Sequence, residues 1–384
     1  MLILGLLSAI GPFSIDMYLP AFETISKDFD TSIDKVQLSL TSFFIGIAIG
    51  QMIYGPLLDK FGRKKPLIVG LSIYLLTSIL CVFTMNVESL ILLRFLQAIG
   101  SCSGMVASRA MVQDYYKGAE AARVFSLLML VLAISPILAP SAGAFLLEHF
   151  DWHYIFVSLF FIGLIVLLGT IFFLPESYEG DKSLSLAPPT IIKKYWAVFI
   201  NKTFITYCLV ASTAAAGLYA YLAGSSFIMQ EIYQLTKKEY GLAFAFVASA
   251  LIMATQINRF CLKKWSMTQI SKVANICQAL VGIAMIISVI TNIINLPILL
   301  GLVFMYLLCQ GFIFPNMSAM ALAPFKHSAG SASALLGCLQ MGLGAISSGL
   351  VSFFHNGTQT PMLIVMCICG CTAMFIHLIF GHKK

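Results

Sequence analysis

Long apolar runs, each closed by a short polar stretch, divide this chain. Crossing ~30 Å of hydrocarbon takes about 20 helical residues. Twelve runs reach that length, at roughly 2–22, 36–57, 66–84, 89–113, 121–147, 153–174, 203–230, 239–261, 269–291, 297–316, 329–354 and 361–381. Apolar and polar residues do not alternate within them, which excludes a closed β-barrel, and runs of this length read as helices rather than buried strands. The pattern predicts an all-α membrane protein with twelve transmembrane helices. Runs five, seven and eleven are rich in Ala, Gly and Ser, a composition that permits close backbone contact between helices.

Composition agrees. The chain is 59% hydrophobic and 10% charged, where a soluble domain carries roughly a quarter charged residues, and its mean hydropathy is +0.94. The net charge of +7 is spread over the loops between runs, so it is no footprint for nucleic acid; lipid is the expected surrounding. Seventeen cations fall on one set of inter-run segments, among them Lys60, Arg63, Lys64, Lys65, Lys117, Arg123, Lys193, Lys194, Lys326, Lys383 and Lys384. The opposite loops hold only Lys27, Lys35, Lys237 and Lys238. Basic loops stay in the cytoplasm, so both termini are expected there. No cleavable signal is expected, because the first run lacks a basic leader, carries Asp16 and continues past signal length. The ten cysteines lie in or at the ends of apolar runs and read as small hydrophobes, with no disulfide or metal site expected.

One connection is long, residues 176–202, polar at its start and broken by Pro188-Pro189. It divides the chain into residues 1–175, a cytoplasmic linker over 176–202, and residues 203–384. Gln97 with Gly100 in run four is echoed by Gln310-Gly311 in run ten, a faint internal repeat.

The most charged turn lies between runs two and three, Gly55-Pro56-Leu57-Leu58-Asp59-Lys60-Phe61-Gly62-Arg63-Lys64-Lys65. Gly55 permits close approach of a neighbouring helix, Gly62 permits the turn, and Asp59 is placed to pair with Arg63. The order Gly-x-x-x-Asp-x-x-Gly-Arg-Lys resembles the signature loop of the major facilitator superfamily of transporters, and it falls where that family has it. The resemblance implies two six-helix bundles around a central cavity.

Ionisable groups inside a membrane are functional candidates by default, and few are present. Asp16 in run one and Arg94 in run four each lie about six residues from the outer end, ~9 Å deep at 1.5 Å per residue. Equal depth makes them candidate partners, with Asp16 taking up and releasing a proton. A fixed ion pair, or an Asp16 capping a helix break at Pro20, is the structural alternative. Arg109 and Asp114 lie at the inner end of run four. Asp114 with Asp59 and Arg63 forms a candidate cytoplasmic latch, ordinary interfacial charge being the alternative. In run five, Pro136 and Pro140 are predicted to bend the helix, with Gly143 packing closely behind them. This stretch resembles the family's exporter motif, although Ala139 and Ala142 stand where that motif has Gly.

Asp16-Met17-Tyr18-Leu19-Pro20, Arg94-Phe95-Leu96-Gln97-Ala98-Ile99-Gly100, Arg109 with Asp114, Trp152 and Leu174-Pro175-Glu176-Ser177 resemble the Bcr/CflA branch of drug:proton antiporters. That resemblance implies proton-driven export of small, often amphipathic compounds across a bacterial inner membrane, with no cofactor beyond the proton as coupling ion. The alternative within transporters is a carrier of one metabolite, such as a sugar, an amino acid or a siderophore. No second carboxyl lies deep in a run, so coupling would rest on Asp16. No enzyme motif is present, His153 and His377 read as interfacial, and a monomer is expected. Met17, Tyr18, Tyr219, Tyr221, Phe227 and Met341 are of the kind that line promiscuous pockets.

Overall fold

The computed structural model describes residues 2–116, 118–325 and 329–381. Lys117, Lys326, Lys383 and Lys384 of the cation count lie outside them, as does the side chain of Arg123. Among the described residues every regular element is helical. The first run is α1 (Leu2–Asp16), a single 3-10 turn (Leu19–Ala21) and α2 (Phe22–Asp28). There follow α3 (Ile33–Phe61), α4 (Lys64–Val82), α5 (Val87–Tyr115), α6 (Gly118–His149) and α7 (His153–Phe173). A short helix, α8 (Pro188–Phe199), precedes α9 (Lys202–Ser226), which runs into a π-helical turn at Phe227–Ile232. The chain closes with α10 (Lys237–Cys261), α11 (Met267–Ile290), α12 (Leu296–Leu322), α13 (Ala329–Phe353) and α14 (Thr360–Phe380). Eleven helical segments among the described residues are long and apolar enough to cross a membrane. The 32-residue α6 lies where the fifth run was predicted.

The polar residues between runs mark where helices start. Asn86, Asn201 and Asn295 each accept a hydrogen bond from the backbone N–H three residues on. Thr236 with Glu239, and Ser266 with Gln269, form reciprocal capping boxes. Each supplies partners to N–H groups that a helix start leaves open.

Packing follows two sets of neighbours. α5 lies against α1, α3 and α4, and α1 also packs on α6 and α7; α9 lies against α12, α13 and α14, with α11 between α12 and α14. Two broad contacts join the sets, α3 with α13 and α6 with α10. Thr41 Oγ1 and Ser348 Oγ are 2.8 Å apart across the first of these, and the rings of Phe44 and Tyr219 meet edge-on at 4.7 Å.

Three features depart from the sequence reading. The first run is broken immediately after Asp16, four residues before Pro20, which stands second in the 3-10 turn that Leu19 opens. Pro188-Pro189 begins α8 instead of interrupting the connection; proline is tolerated in a first helical turn, where its missing N–H has no partner to lose. His377 is buried at 1% exposure, with Nδ1 3.0 Å from Asn275 Nδ2, and so joins α14 to α11 instead of lying at an interface. All ten cysteines are free thiols.

Candidate functional site

Arg94 is fully buried, and its partners are not carboxylates. Nη2 donates to the Ser14 carbonyl at 2.8 Å and Nη1 to Gln97 Oε1 at 2.6 Å. Gln97 in turn donates to Ser78 Oγ at 2.7 Å, and Ser14 Oγ lies 2.8 Å from Tyr74 Oη. The guanidinium carbon sits 4.2 Å from the ring centroid of Phe43, 4.6 Å from Tyr18 and 5.7 Å from Phe156. A desolvated cation–π contact is worth about 2 kcal/mol, so several together offset much of the cost of burying this charge.

Asp16 is therefore not the ion-pair partner of Arg94 here, and the pairing suggested by equal depth is absent from this structure. Depth along a helix fixes height but not direction. Residues two apart on an α-helix face about 200° away from each other, so Arg94's grip on Ser14 turns Asp16 elsewhere. The residue is 5% exposed, and its carboxyl has no hydrogen-bond or ion-pair partner among the described residues. It lines a cavity of about 170 Å³ together with Pro12 and Ile15 of α1, Ile47 of α3, Met105 of α5 and Pro136 of α6. The other wall is formed by Leu218, Tyr219, Tyr221 and Leu222 of α9, Phe244, Ala248 and Leu251 of α10, Leu307 of α12, and Met341 of α13. Both sets of helices thus contribute to it.

Tyr219, Tyr221 and Met341, which the sequence could only name as plausible lining, stand in this cavity. Tyr221 stacks on Phe244 with centroids 5.6 Å apart, yet its buried hydroxyl has no hydrogen-bond partner. Tyr219 Oη accepts a bond from Gln340 Nε2 at 3.3 Å. Met17 and Tyr18 pack in the interior instead, and Phe227 meets His355 at 4.4 Å. In α6 the helix continues through Pro136 and Pro140. Pro136 faces the cavity, and Gly143 lies so close to the Met17 carbonyl that any Cβ there would collide with it. That contact seats α6 on the break in α1, one residue beyond Asp16.

The charged loop forms a second cluster at one end of the molecule. Arg63 donates from Nη1 to Asp59 Oδ1 at 2.8 Å and from Nε to Asp114 Oδ2 at 2.9 Å, and lies over the Tyr178 ring at 4.7 Å. Gly62 adopts φ +86°, and a Cβ there would sit 2.7 Å from the Tyr178 carbonyl. Gly55 faces the Tyr195 hydroxyl and Ala334. Lys64 Nζ donates to the Ile171 carbonyl at 2.8 Å. Arg109 is half-buried near Cys102 and makes no ion pair among the described residues, so it stands apart from this cluster.

Sequence reasoning missed what completes the loop. Glu176 accepts from the backbone N–H of Arg63 at 2.9 Å and of Lys64 at 3.0 Å, placing a carboxylate on the N-terminus of α4, where the helix dipole favours it. Ser177 Oγ donates to Asp114 Oδ2 at 2.9 Å, and Asp181 N–H to the Asp59 carbonyl at 2.9 Å. These partners are 63 or more residues away along the chain, and the sequence marked Glu176-Ser177 only as part of a family resemblance, without pointing to what they bind.

Residues 4–349 match the family model of the Major Facilitator Superfamily: the chain belongs to that superfamily. It is 34% identical to the Bacillus subtilis protein called uncharacterized MFS-type transporter YdgK, over 97% of this chain and 94% of that one. Its identity to a bicyclomycin resistance protein homolog of Haemophilus influenzae is 31%, covering 96% and 92%. With multidrug resistance protein D of Escherichia coli it is 28%, covering 96% and 94%. Among solved structures, a bacterial homolog of the human lysosomal transporter Spinster shares the fold with TM-score 0.75 at 13% identity, covering 100% and 96%. A D-xylose–proton symporter does so with TM-score 0.73 at 15% identity, covering 99% and 96%.

Asp114 holds two donors at 20% side-chain exposure, whereas Asp59 holds one side-chain donor at 54%. Asp114→Asn should cost about 1.5–3 kcal/mol and Asp59→Asn about 0–1 kcal/mol, read as denaturation of the detergent-solubilised protein; equal losses would contradict the geometry. Gly143→Ala should destabilise by about 1–3 kcal/mol, although alanine in a helix ordinarily stabilises relative to glycine. Gly301→Ala, at a position with nothing within 4 Å of the added atom, is the control and should not destabilise.

Proposed function

We propose that this protein exports drug-like, amphipathic compounds across the bacterial inner membrane in exchange for protons, by alternating access. In this reading residues 1–175 and 203–384 are the two bundles that move, residues 176–202 link them, and both termini are cytoplasmic. One observation carries the proposal: a carboxyl without a partner lies in an apolar and aromatic cavity built by helices of both halves. A static structural carboxyl inside a membrane would be expected to hold a partner; Asp16 has none among the described residues and so has a free valence for a proton or a cationic substrate. The relatives named for bicyclomycin and multidrug resistance support export of drug-like molecules. The wall, almost entirely aliphatic, aromatic and Met, suits amphipathic compounds better than a sugar, whose hydroxyls would need many polar partners.

Each group then has a role. Asp16 exchanges a proton for substrate as the cavity faces one side and then the other. Arg94 does not pair with it in this state; bonded to the Ser14 carbonyl, it fixes the turn of α1 that presents Asp16. Asp59, Arg63 and Asp114, with Gly55, Gly62 and Lys64 around them, latch the cytoplasmic end. Pro136, Pro140 and Gly143 shape α6 against α1. Arg109 lies near this end without joining the latch.

Ethidium transport into inverted membrane vesicles tests the coupling. Wild type should accumulate the dye under an imposed proton gradient and lose it with a protonophore. Asp16→Asn, at equal expression, should lose gradient-driven transport by tenfold or more, roughly the factor attached to 1.4 kcal/mol. Normal transport by this variant with unchanged pH dependence would remove Asp16 from the mechanism. Tyr221→Phe keeps the ring that stacks on Phe244 and deletes only the unpartnered hydroxyl. It should weaken binding of substrates carrying hydrogen-bonding groups by roughly 2–10-fold and leave tetraphenylphosphonium, which has none, unaffected.

A further inference from the structure

We propose that a cleft between α3 and α8, at the end of the molecule carrying the charged loop, binds one anionic phospholipid. An acyl chain lies in the cleft and the phosphate rests at Lys60 and Lys182. The cleft has a volume of about 550 Å³ and is lined by Ile53, Pro56 and Leu57 of α3, Ile192 and Trp196 of α8, and Leu335 of α13, with further residues of α3 and α8. The polar side-chain atom of Tyr195, also in the lining, is engaged: its hydroxyl donates to the Met52 carbonyl at 3.1 Å. An aqueous solute gains nothing from such a wall, whereas a hydrocarbon chain does. The cleft also opens where a membrane protein meets lipid, since Ile53, Ile192 and Trp196 are 42%, 63% and 60% exposed. An amphipathic helix with Trp and Ile on one face and Lys193 and Lys194 on the other suits the boundary between headgroups and chains.

The charge at one end selects the headgroup. Ile53, Pro56, Leu57 and Lys60 recur at i, i+3, i+4 and i+7, one stripe of α3, so Lys60 stands one turn past the cleft wall. Lys182 lies four residues before Leu186, which also lines the cleft. The bond from Asp181 N–H to the Asp59 carbonyl, 2.9 Å, holds that segment beside the end of α3. Neither lysine forms an ion pair among the described residues. Of the neighbouring carboxylates, Asp59 is held by Arg63, and Asp181 by the Ser183 N–H and hydroxyl at 2.9 and 2.6 Å.

One wall of the cleft comes from α3 and the rest from α8, Leu186 just before it and Leu335 of α13, so it keeps this form only while α3 and α13 stay together at this end. A ligand that binds one conformation better shifts the population toward it. The bound lipid therefore favours the state closed at the loop end.

The test uses the full chain, purified and titrated with brominated phospholipids that quench nearby tryptophan. Trp265→Phe leaves Trp196 as the exposed reporter, Trp152 being buried at 1%. Brominated phosphatidylglycerol should quench at a mole fraction roughly fivefold or more below that needed for brominated phosphatidylcholine. Lys60→Gln with Lys182→Gln should bring the two curves together without lowering the melting temperature. Equal quenching by both lipids before mutation, or a surviving preference in the double variant, would overturn the proposal. So would reversal of the quenching by soluble glycerol phosphate, which would make this a phosphate site and not a lipid site.

Discussion

A guanidinium buried without a carboxylate partner governs the arrangement of the first half. A charge in a membrane-spanning bundle must be satisfied locally or its burial is prohibitive. Arg94 meets most of this requirement with a backbone carbonyl, one amide and three aromatic faces, its Nε alone having no hydrogen-bond partner among the described residues. Because the carbonyl belongs to Ser14, the bond fixes how α1 is rotated against α5. The ring of Tyr18, just beyond the break in α1, lies over the same cation. The helix break and the direction of Asp16 are thus consequences of how one arginine is solvated. Had a carboxylate satisfied Arg94, Asp16 would have been the one at hand, and the cavity would have had no free acidic group.

The charged loop solves a different problem, that of three helix ends meeting at one place. A positive-φ glycine turns the chain between α3 and α4, Arg63 ties that turn to the end of α5, and Glu176 caps α4 from beyond the end of α7. The connection that leaves Glu176 then runs past Asp59 into α8, where the Tyr195 hydroxyl returns to the α3 backbone at Met52. α3 is therefore held at this end from both sides, by the loop cluster and by α8. Any movement of α3 away from α13 has to work against α8, which packs on α13.

Much of this was legible in the sequence, and the failures have a common cause. Run length and the polar residues between runs located the membrane-crossing helices, because satisfying the backbone in lipid leaves few other structures. The spacing of Asp59, Arg63 and Asp114 pointed to residues that the structure brings within 3 Å. What could not be read was direction around a helix axis and contact across long separations. Asp16 and Arg94 share a depth but face apart. Glu176 is remote in sequence from the helix it caps. The orphaned Tyr221 hydroxyl is visible only once its surroundings are known. Pro188-Pro189 misled because the same residue that interrupts a helix also begins one, and composition alone does not say which.

The cavity around Asp16 is about 170 Å³, below the 300–1,000 Å³ common for small-molecule sites, so the walls must separate before a drug-sized molecule fits. The structure indicates where they do so most easily. Within the halves, backbones touch at positions that tolerate no side chain, as at Gly143 against Met17 and Gly100 against Tyr74, and parting them would open voids with nothing to fill them. Between the halves, the α3–α13 contact includes a hydroxyl pair such as Thr41 with Ser348, which exchanges its partner for water or lipid-buried neighbours at small net cost. The α3–α13 contact thus holds an exchangeable hydroxyl pair beside a close approach of its own, Gly337 of α13 against the Gln51 amide of α3. In the proposed exchange, a change of occupancy at Asp16, which has no partner among the described residues, would act on that boundary.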